Sequence, residues 1–575
     1  MTPVKLAIIG AGPTTVYLLK HLIGRGQKLD IAIYEASPEA GKGMPYREDI
    51  NADYMLCNAF SREIPELTRQ LIDWLETRPK YELSEWELSE HDISARAFYP
   101  RVLIGEFLHD EFHALIDHAR ATGHKITLHT STPVTDIDVT ATPGQALLLT
   151  RDAAADALFD AVIIATGHSW PKSPHIDQAD LLSPWPATRL ESLEAGHIGI
   201  LGSSLSAIDV VAALGHAHGT FDESGDHVRW TPNDAASGLR ITMVSRMGIM
   251  PEGDFYYPFP YQPLACITQA AVSREIERGS DGLLARVFDL LCQELDHADP
   301  AYLENLGPEA RTIPGFSQAY FRHRQQLGGL EAVERDFAKT RQSMRKRQTI
   351  AHRYALLRGH ENFDAILRRL DEADWKLFHD ELMPVFADCY AAVPHLSLSR
   401  IIALHQAGIL TLVATGDDAT FENTGETAPA QPETAFGGPA GEPETAQNTS
   451  GVTPAKSETA KAAAATKTPD AKTPDAIPGP VKVTTPDATH HFDIMIDARG
   501  QPAASLDDLP FTTLTRTLTP QTLRAPFRLD LETQNPAKIY CLAMPQLLDR
   551  HPFAQGLVNV AELAEVVAGD VCGEG

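Results

Sequence analysis

The sequence predicts an α/β protein built on parallel sheets, and three observations carry that expectation. Two short aliphatic runs, "KLAII" (5–9) and "IGIL" (198–201), each lead straight into a glycine and then into a helix-patterned segment. Each such unit is followed by a further aliphatic run, "DIAIYE" (30–35) and "RITMVSR" (240–246). Elsewhere in the first 200 residues and the last 85, β-branched runs alternate with helical stretches, as crossover-connected strands require.

Composition bounds the rest. A chain of 575 residues exceeds one core and implies two or three domains plus insertions. Against 77 acidic residues stand 49 basic ones, a net charge of −28, and no basic stretch is continuous enough to serve nucleic acid. The six cysteines form no CxxC pair, so neither a zinc site nor a redox disulfide is written locally, and a reduced, cytoplasmic setting is expected. No apolar run approaches the roughly 20 residues that span a bilayer, so a membrane partner is not expected.

The chain divides at its changes of pattern. Residues 1–190 and 490–575 are expected to form one nucleotide-binding domain and 191–266 a second. Residues 267–417, with segments such as "LLARVFDLLCQEL", read as a helical insertion. Residues 418–489 are rich in Ala, Thr, Pro and Glu, with near-repeats such as "KTPDAKTPDA", and are expected to be a disordered low-complexity insertion.

In the opening unit, strand 5–9 feeds Gly10-Ala11-Gly12-Pro13-Thr14-Thr15 and a helix. Gly10 permits the tight turn, Gly12 lets the backbone approach a pyrophosphate, and the free amides at the helix start favour negative charge. Glu35, 25 residues after Gly10, is placed to accept from a ribose hydroxyl. Thr15 stands where a third glycine usually packs helix against strand, and the expected cost is a small outward shift. Next comes "GKGMPYREDINADYMLCNAF", with Met44-Pro45-Tyr46 and, twelve residues after Tyr46, Asn58. Taken alone this reads as loop chemistry, either ordinary turns or a contact to the same nucleotide.

"FDAVIIATGHSWP" (159–171) is an apolar strand ending in Ala165-Thr166-Gly167. The second unit, "HIGILGSSLSAIDVVAAL", presents Gly202-Ser203-Ser204-Leu205-Ser206 at its turn, with serines where glycines are usual. The strand after it ends in Ser245-Arg246 where an NAD site would carry an acid. A hydroxyl and a guanidinium there suit a 2′-phosphate and hence NADPH. A surface arginine after an unrelated strand is the other reading.

The order GAGPT, YE, GMPY with a following Asn, "ARAFYPRVLIGEFL", ATG, GSSLSAID, SR and "IYCLAMP…HPFAQGL" resembles the FAD/NAD(P)-binding flavoproteins related to class B flavin monooxygenases. Within them the pattern is most similar to the nitrosuccinate-forming aspartate N-hydroxylases. The resemblance covers roughly residues 4 to 415 and 490 to 570 and implies two Rossmann-like units. Gly10, Gly12, Pro13, Thr14, Glu35, Tyr46, Asn58 and Gly167 would hold FAD. Gly202, Ser204, Ser206, Ser245 and Arg246 would hold NADPH. Thr15, Met44, Pro45, Thr166 and Ser203 complete the candidate cofactor contacts. The sequence departs from the family pattern at Thr15, Ser204, Arg499 and Ala543.

No HExxH, GxSxG or GxxxxGK[ST] motif occurs, and no metal site is expected. The basic stretches "YFRHRQQ" and "RQSMRKRQTIAHR" read as solvated helix faces, or as the source of an inward arginine that clamps a substrate carboxylate. Two dinucleotide sites in one chain imply electron transfer between them. The resemblance implies an NADPH-oxidising monooxygenase that N-hydroxylates a small amine or amino acid with O₂, an acidic amino acid being one candidate. An NADPH-dependent reductase with another acceptor, or a flavin-binding sensor without catalysis, are the alternatives. Spacing nominates no catalytic residue.

Overall fold

The computed structural model describes residues 3–152, 156–225, 227–425, 477–532 and 537–573. In chain order the framework elements are β1 (Val4–Ile9), α1 (Pro13–Gly24), β2 (Leu29–Tyr34), α2 (Arg101–Ala121), β3 (Lys125–His129), β4 (Ala161–Ile164), β5 (His197–Leu201), α3 (Leu205–Ala217) and β6 (Arg240–Ser245). They continue with α4 (Ala351–Gly359), α5 (Glu361–Leu367), β7 (Leu410–Ala414), β8 (Ile494–Asp497), β9 (Lys538–Cys541) and α6 (Leu557–Val571).

Two parallel sheets organise the molecule. The first has the order β9-β4-β1-β2-β3 and the second β7-β6-β5-β8. Helices cover the first sheet, so its central strands are unbroken apolar runs: Leu6, Ala7, Ile8, Val162, Ile163 and Ile164 are all fully buried. α1 packs on α2 and on the C-terminal α6, which ties the last residues of the chain to its first helix. Each of the two sheets has its own core, and a third lies within the helical region around Leu284, Phe288, Phe316, Phe363 and Phe386. Among the described residues no helix is long and apolar enough to cross a membrane.

Three expected boundaries move. The helical region runs from Gln269 to Gln406 and stops there, because Leu410–Ala414 pairs in parallel with β6. Ile494–Asp497, expected in the first domain, pairs with β5 in the second, and the chain rejoins the first sheet only at β9. Within the segment expected to be disordered, Thr420–Asn423 and Val481–Thr484 form antiparallel strands, extended by Thr489–Phe492. Residues 426–476 of that segment lie outside the described residues. The apolar runs of Leu410–Ala414 and Ile494–Asp497 are written in the sequence, whereas the "TFEN" of Thr420–Asn423 is not aliphatic. The partner strand is in each case set by long-range packing, which period alone does not encode.

Candidate functional site at the junction of the two sheets

The C-terminal ends of β1, β2 and β4 open onto a cavity of about 1420 Å³. That volume exceeds the roughly 300–1,000 Å³ of pockets for drug-sized ligands. Gly10, Gly12, Pro13, Thr14, Glu35, Met44, Pro45, Tyr46, Asn58, Thr166 and Gly167 all line it, so these sequence candidates share one cavity.

The glycines are there for space. A Cβ on Gly10 would lie 2.3 Å from the carbonyl oxygen of Ala165, and φ at Gly10 is +98°. A Cβ on Gly12 would meet Gly43 Cα at 3.3 Å, which presses the Met44–Tyr46 turn against the start of α1. Gly12 caps α1 with no side-chain hydrogen bond, and Pro13 fills the first turn, so the helix start keeps free amides beside the cavity. Glu35 accepts from the Ala11 amide at 2.8 Å and from the Ser37 amide and hydroxyl at 2.8 and 2.7 Å. It therefore shapes the loop as well as facing the cavity.

Thr15 is not on the cavity wall. It is fully buried, and its hydroxyl donates to the Gly10 carbonyl at 2.6 Å.

The second sheet repeats the first. The Gly10 amide donates to the Tyr34 carbonyl at 2.7 Å, and the Gly202 amide donates to Val244 at 2.8 Å. A Cβ on Gly202, where φ is +126°, would lie 2.6 Å from the Ala498 carbonyl oxygen, so Ala498-Arg499-Gly500 occupies the place that Ala165-Thr166-Gly167 holds in the first sheet. Arg499 folds back in a two-pronged pair with Asp497 at 2.8 and 2.7 Å. Ser204 caps α3 without a side-chain bond, as Gly12 caps α1. Of the second-unit candidates only Ser206 lines the large cavity. Ser203 donates to the Ile249 carbonyl at 2.6 Å, the Ser245 hydroxyl is buried without a partner, and Arg246 is 58% exposed with Asp417 at 3.7 Å.

A further part of the cavity lining, the chamber, is made by Glu63, Phe259, Tyr261, Arg358, Glu361 and Phe553. Glu63 accepts from the Tyr257 and Tyr261 hydroxyls at 2.7 and 2.8 Å, and burial still holds its carboxyl above the ordinary range. The Arg358 guanidinium lies 3.9 Å from the Tyr261 ring centroid and pairs with Glu361. Burial pushes Glu361 up to about 7, and burial pushes the neighbouring His360 imidazole down to about 4. Asp364 and Glu562 add further carboxyl groups to the wall.

The basic stretches do not supply this wall. Arg324 turns inward onto Asp388 at 2.7 Å and the Met250 carbonyl at 3.2 Å. Arg353, only 3% exposed, is spent on Glu252 at 2.8 Å and the Gly253 carbonyl at 2.7 Å. These two arginines brace the segment that carries Phe259 and Tyr261, because a buried guanidinium without a carboxylate partner is costly. Arg358, just past the second stretch, is the one that reaches the cavity. Sequence reasoning nominated none of Arg101, His168, Trp185, Arg358 or Gly556, all on the wall. Three of them stood inside quoted stretches, "FYPRVL", "ATGHSWP" and "HPFAQGL", yet nothing in the spacing singled them out.

A family described as FAD-NAD(P)-binding matches residues 7–169, and one described as the YdhS-like middle domain matches residues 268–390. The first unit is thus an FAD/NAD(P)-binding domain. Among solved structures, an ornithine N-hydroxylase from Kutzneria sp. 744 is 12% identical with a TM-score of 0.42, and an L-lysine 6-monooxygenase from Pseudomonas syringae is 12% identical with 0.40; 99% of each chain is covered. A bacillithiol disulfide reductase from Bacillus cereus is 8% identical with 0.39, over 100% of each chain. All three scores are below 0.5, and the chemistry of the site rests on this chain's own residues. Uncharacterized protein YdhS of Escherichia coli (strain K12) is 33% identical over 571 residues, covering 98% of this chain and 96% of that one. The chain belongs to the YdhS family.

Proposed function

We propose that the chain is an FAD-dependent, NADPH-oxidising monooxygenase that N-hydroxylates a small amine or amino acid. The overall change is R–NH₂ + O₂ + NADPH + H⁺ → R–NHOH + NADP⁺ + H₂O. The observation that carries this reading is one continuous cavity of about 1420 Å³, lined by the Gly10–Thr14 loop, by Ser206 at the start of α3 and by residues of α4 and α5.

The residues fit the cofactor. The uncapped start of α1, a turn in which only glycine fits at Gly10, and the close approach of Gly12 to Gly43 suit a pyrophosphate. Glu35 keeps acceptor capacity on the cavity side for a ribose hydroxyl. Bound FAD would supply the two-electron redox chemistry between NADPH and O₂. Gly202, Ser204 and Ser206, at the matching turn of the second sheet, would hold NADPH, with Ser245 and Arg246 at its 2′-phosphate. The chain's part is to orient both nucleotides and exclude water. Phe259, Tyr261, Tyr390 and Phe553 provide apolar cover over the chamber.

The deciding experiment supplies the FAD-loaded protein with a panel of amines and amino acids. With the right one, oxygen uptake, NADPH oxidation and hydroxylated product should approach one-to-one-to-one. Hydrogen peroxide alone across the panel, together with fast anaerobic turnover on an artificial acceptor, would replace this reading with a reductase.

A further inference from the structure

Two residues that are near neighbours in the chain are buried in different cores. Met55 belongs to the core of the second sheet, whereas Cys57 belongs to the core of the first. The segment between the Met44–Tyr46 turn and the cavity residue Asn58 therefore leaves its own unit, enters the other and returns. Its base is tied to the first unit. The Asn51 side chain donates to the Met44 and Arg47 carbonyls at 3.0 and 3.1 Å, the Cys57 amide donates to the Tyr99 carbonyl at 2.9 Å, and the Arg101 amide donates to the Met55 carbonyl at 2.8 Å.

Its tip is tied to the second unit. The Tyr54 ring stacks on His216 of α3 with centroids 4.0 Å apart, and its hydroxyl donates to Glu191 at 2.6 Å. Arg400, in the helix His395–Gln406, donates to the Tyr54 carbonyl at 2.7 Å, and the Ala187 amide donates to the Ile50 carbonyl at 2.9 Å. Arg101, at the start of α2, ion-pairs with Asp209 of α3 at 2.7 Å, with both side chains largely buried. Burial lifts the Asp209 carboxyl to about 6, which still leaves it ionised opposite Arg101 at neutral pH. The void among Tyr54, Leu56, Ile208, Val211 and Arg400 is about 10 Å³, no more than one water needs.

Rotation of one unit against the other is the usual freedom of two domains joined by a modest interface. Here it would draw Met55 out of an apolar core and leave the Asp209 carboxylate buried without its guanidinium, both of which are costly. α3 is the element so held. Ser206, in its first turn, lines the large cavity, whereas Asp209, one turn further on, does not.

We propose that Tyr54, Met55 and Arg101 form a strut that holds α3 in one place beside the FAD loops, so that NADPH at the start of α3 reduces FAD without rotation of one unit against the other, with Asp209 as the positioning residue. The step is NADPH + FAD → NADP⁺ + FADH⁻: the nicotinamide gives up a hydride and the flavin takes it. This rests on the assignment of FAD to the first unit and NADPH to the second.

Anaerobic reduction of the FAD-loaded protein by saturating NADPH is followed in stopped flow while sucrose raises the solvent viscosity. Over a threefold rise the wild-type rate constant should fall by less than about 1.5-fold, since no domain-sized motion is damped; a larger fall overturns the proposal and needs no variant to fold. Asp209→Asn and Tyr54→Leu should each slow reduction by at least about fivefold while the calorimetric Kd of NADP⁺ stays within about twofold, a split that lost folding would not give. A smaller effect in a folded variant, or a Kd that weakens in step with the rate, overturns the proposal. Hydrogen exchange in the peptide carrying the Ala187 amide should be equally slow with and without NADP⁺, and protection lost in either state overturns it as well. Failure of NADPH to reduce the wild-type flavin at all would remove the proposal together with the cofactor assignment, whereas fast but viscosity-dependent reduction removes the proposal alone.

Discussion

Thr15 turns its hydroxyl back onto the carbonyl of Gly10 at 2.6 Å and closes the turn that leads from β1 into α1. Thr15→Val keeps shape and helix propensity but leaves that carbonyl unpaired. It should lower stability by about 1–2 kcal/mol in denaturant unfolding of the FAD-free protein. FAD affinity should change little, because Thr15 does not face the cavity. A steep loss of FAD with unchanged stability would mean that the hydroxyl reaches the cofactor.

Gly12→Val places a branched side chain where even Cβ would meet Gly43 Cα at 3.3 Å. The purified variant should lose most of its flavin absorbance while keeping the far-ultraviolet dichroism of the wild type. Full occupancy would refute the assignment of this loop to the FAD pyrophosphate.

Arg246→Ala should weaken NADPH more than NADH, by about 1.5 kcal/mol or roughly tenfold in Kd. The lower end of the range for a charge-assisted bond is chosen because Arg246 is 58% exposed and has Asp417 at 3.7 Å. Equal losses for the two coenzymes would show that Arg246 does not read the 2′-phosphate.

Asn423 lies opposite Val481 in an antiparallel pair, so the chain leaves and returns at nearly one point. Replacing residues 426–476 by a short Gly/Ser turn should therefore leave the melting temperature and FAD binding close to wild type, since loop closure depends only weakly on length. A variant that folds but does not bind FAD would give that segment a role at the site.

Burial holds the His360 imidazole at about 4 against an ordinary 6.5. Because the folded value is the lower one, the unfolded chain takes up this proton first. The contribution to stability is complete above about pH 6.5 and is lost as pH falls toward 4, at no more than about 1.4 kcal/mol per pH unit. His360→Phe should thus shift the acid-unfolding midpoint to lower pH relative to its own stability at pH 8. An unchanged midpoint would place the wild-type ring in contact with water.

Much of the nucleotide-binding framework was legible in order of residues. Strand, glycine turn, helix and following strand lie within about 30 residues of one another, and local geometry is what such motifs encode. The helical region was legible by its period for the same reason. The chamber was not. Glu63, Tyr261, Arg358 and Phe553 are nearly 500 residues apart at the extremes and meet only because α6 packs on α1 while the helical region contributes α4 and α5 to the cavity lining.

By itself the sequence determined that the chain is α/β with two glycine-turn units, where each turn falls, and that residues 426–476 lack the apolar content of a core. The tertiary structure alone decided which sheet received Leu410–Ala414 and Ile494–Asp497, which arginines were spent on internal carboxylates, and which polar atoms of His168 and Trp185 were buried without a partner. The physical reason is range. Turn and helix geometry is set by residues a few positions apart, whereas strand partners, desolvation and charge pairing depend on groups that folding brings together from hundreds of residues away.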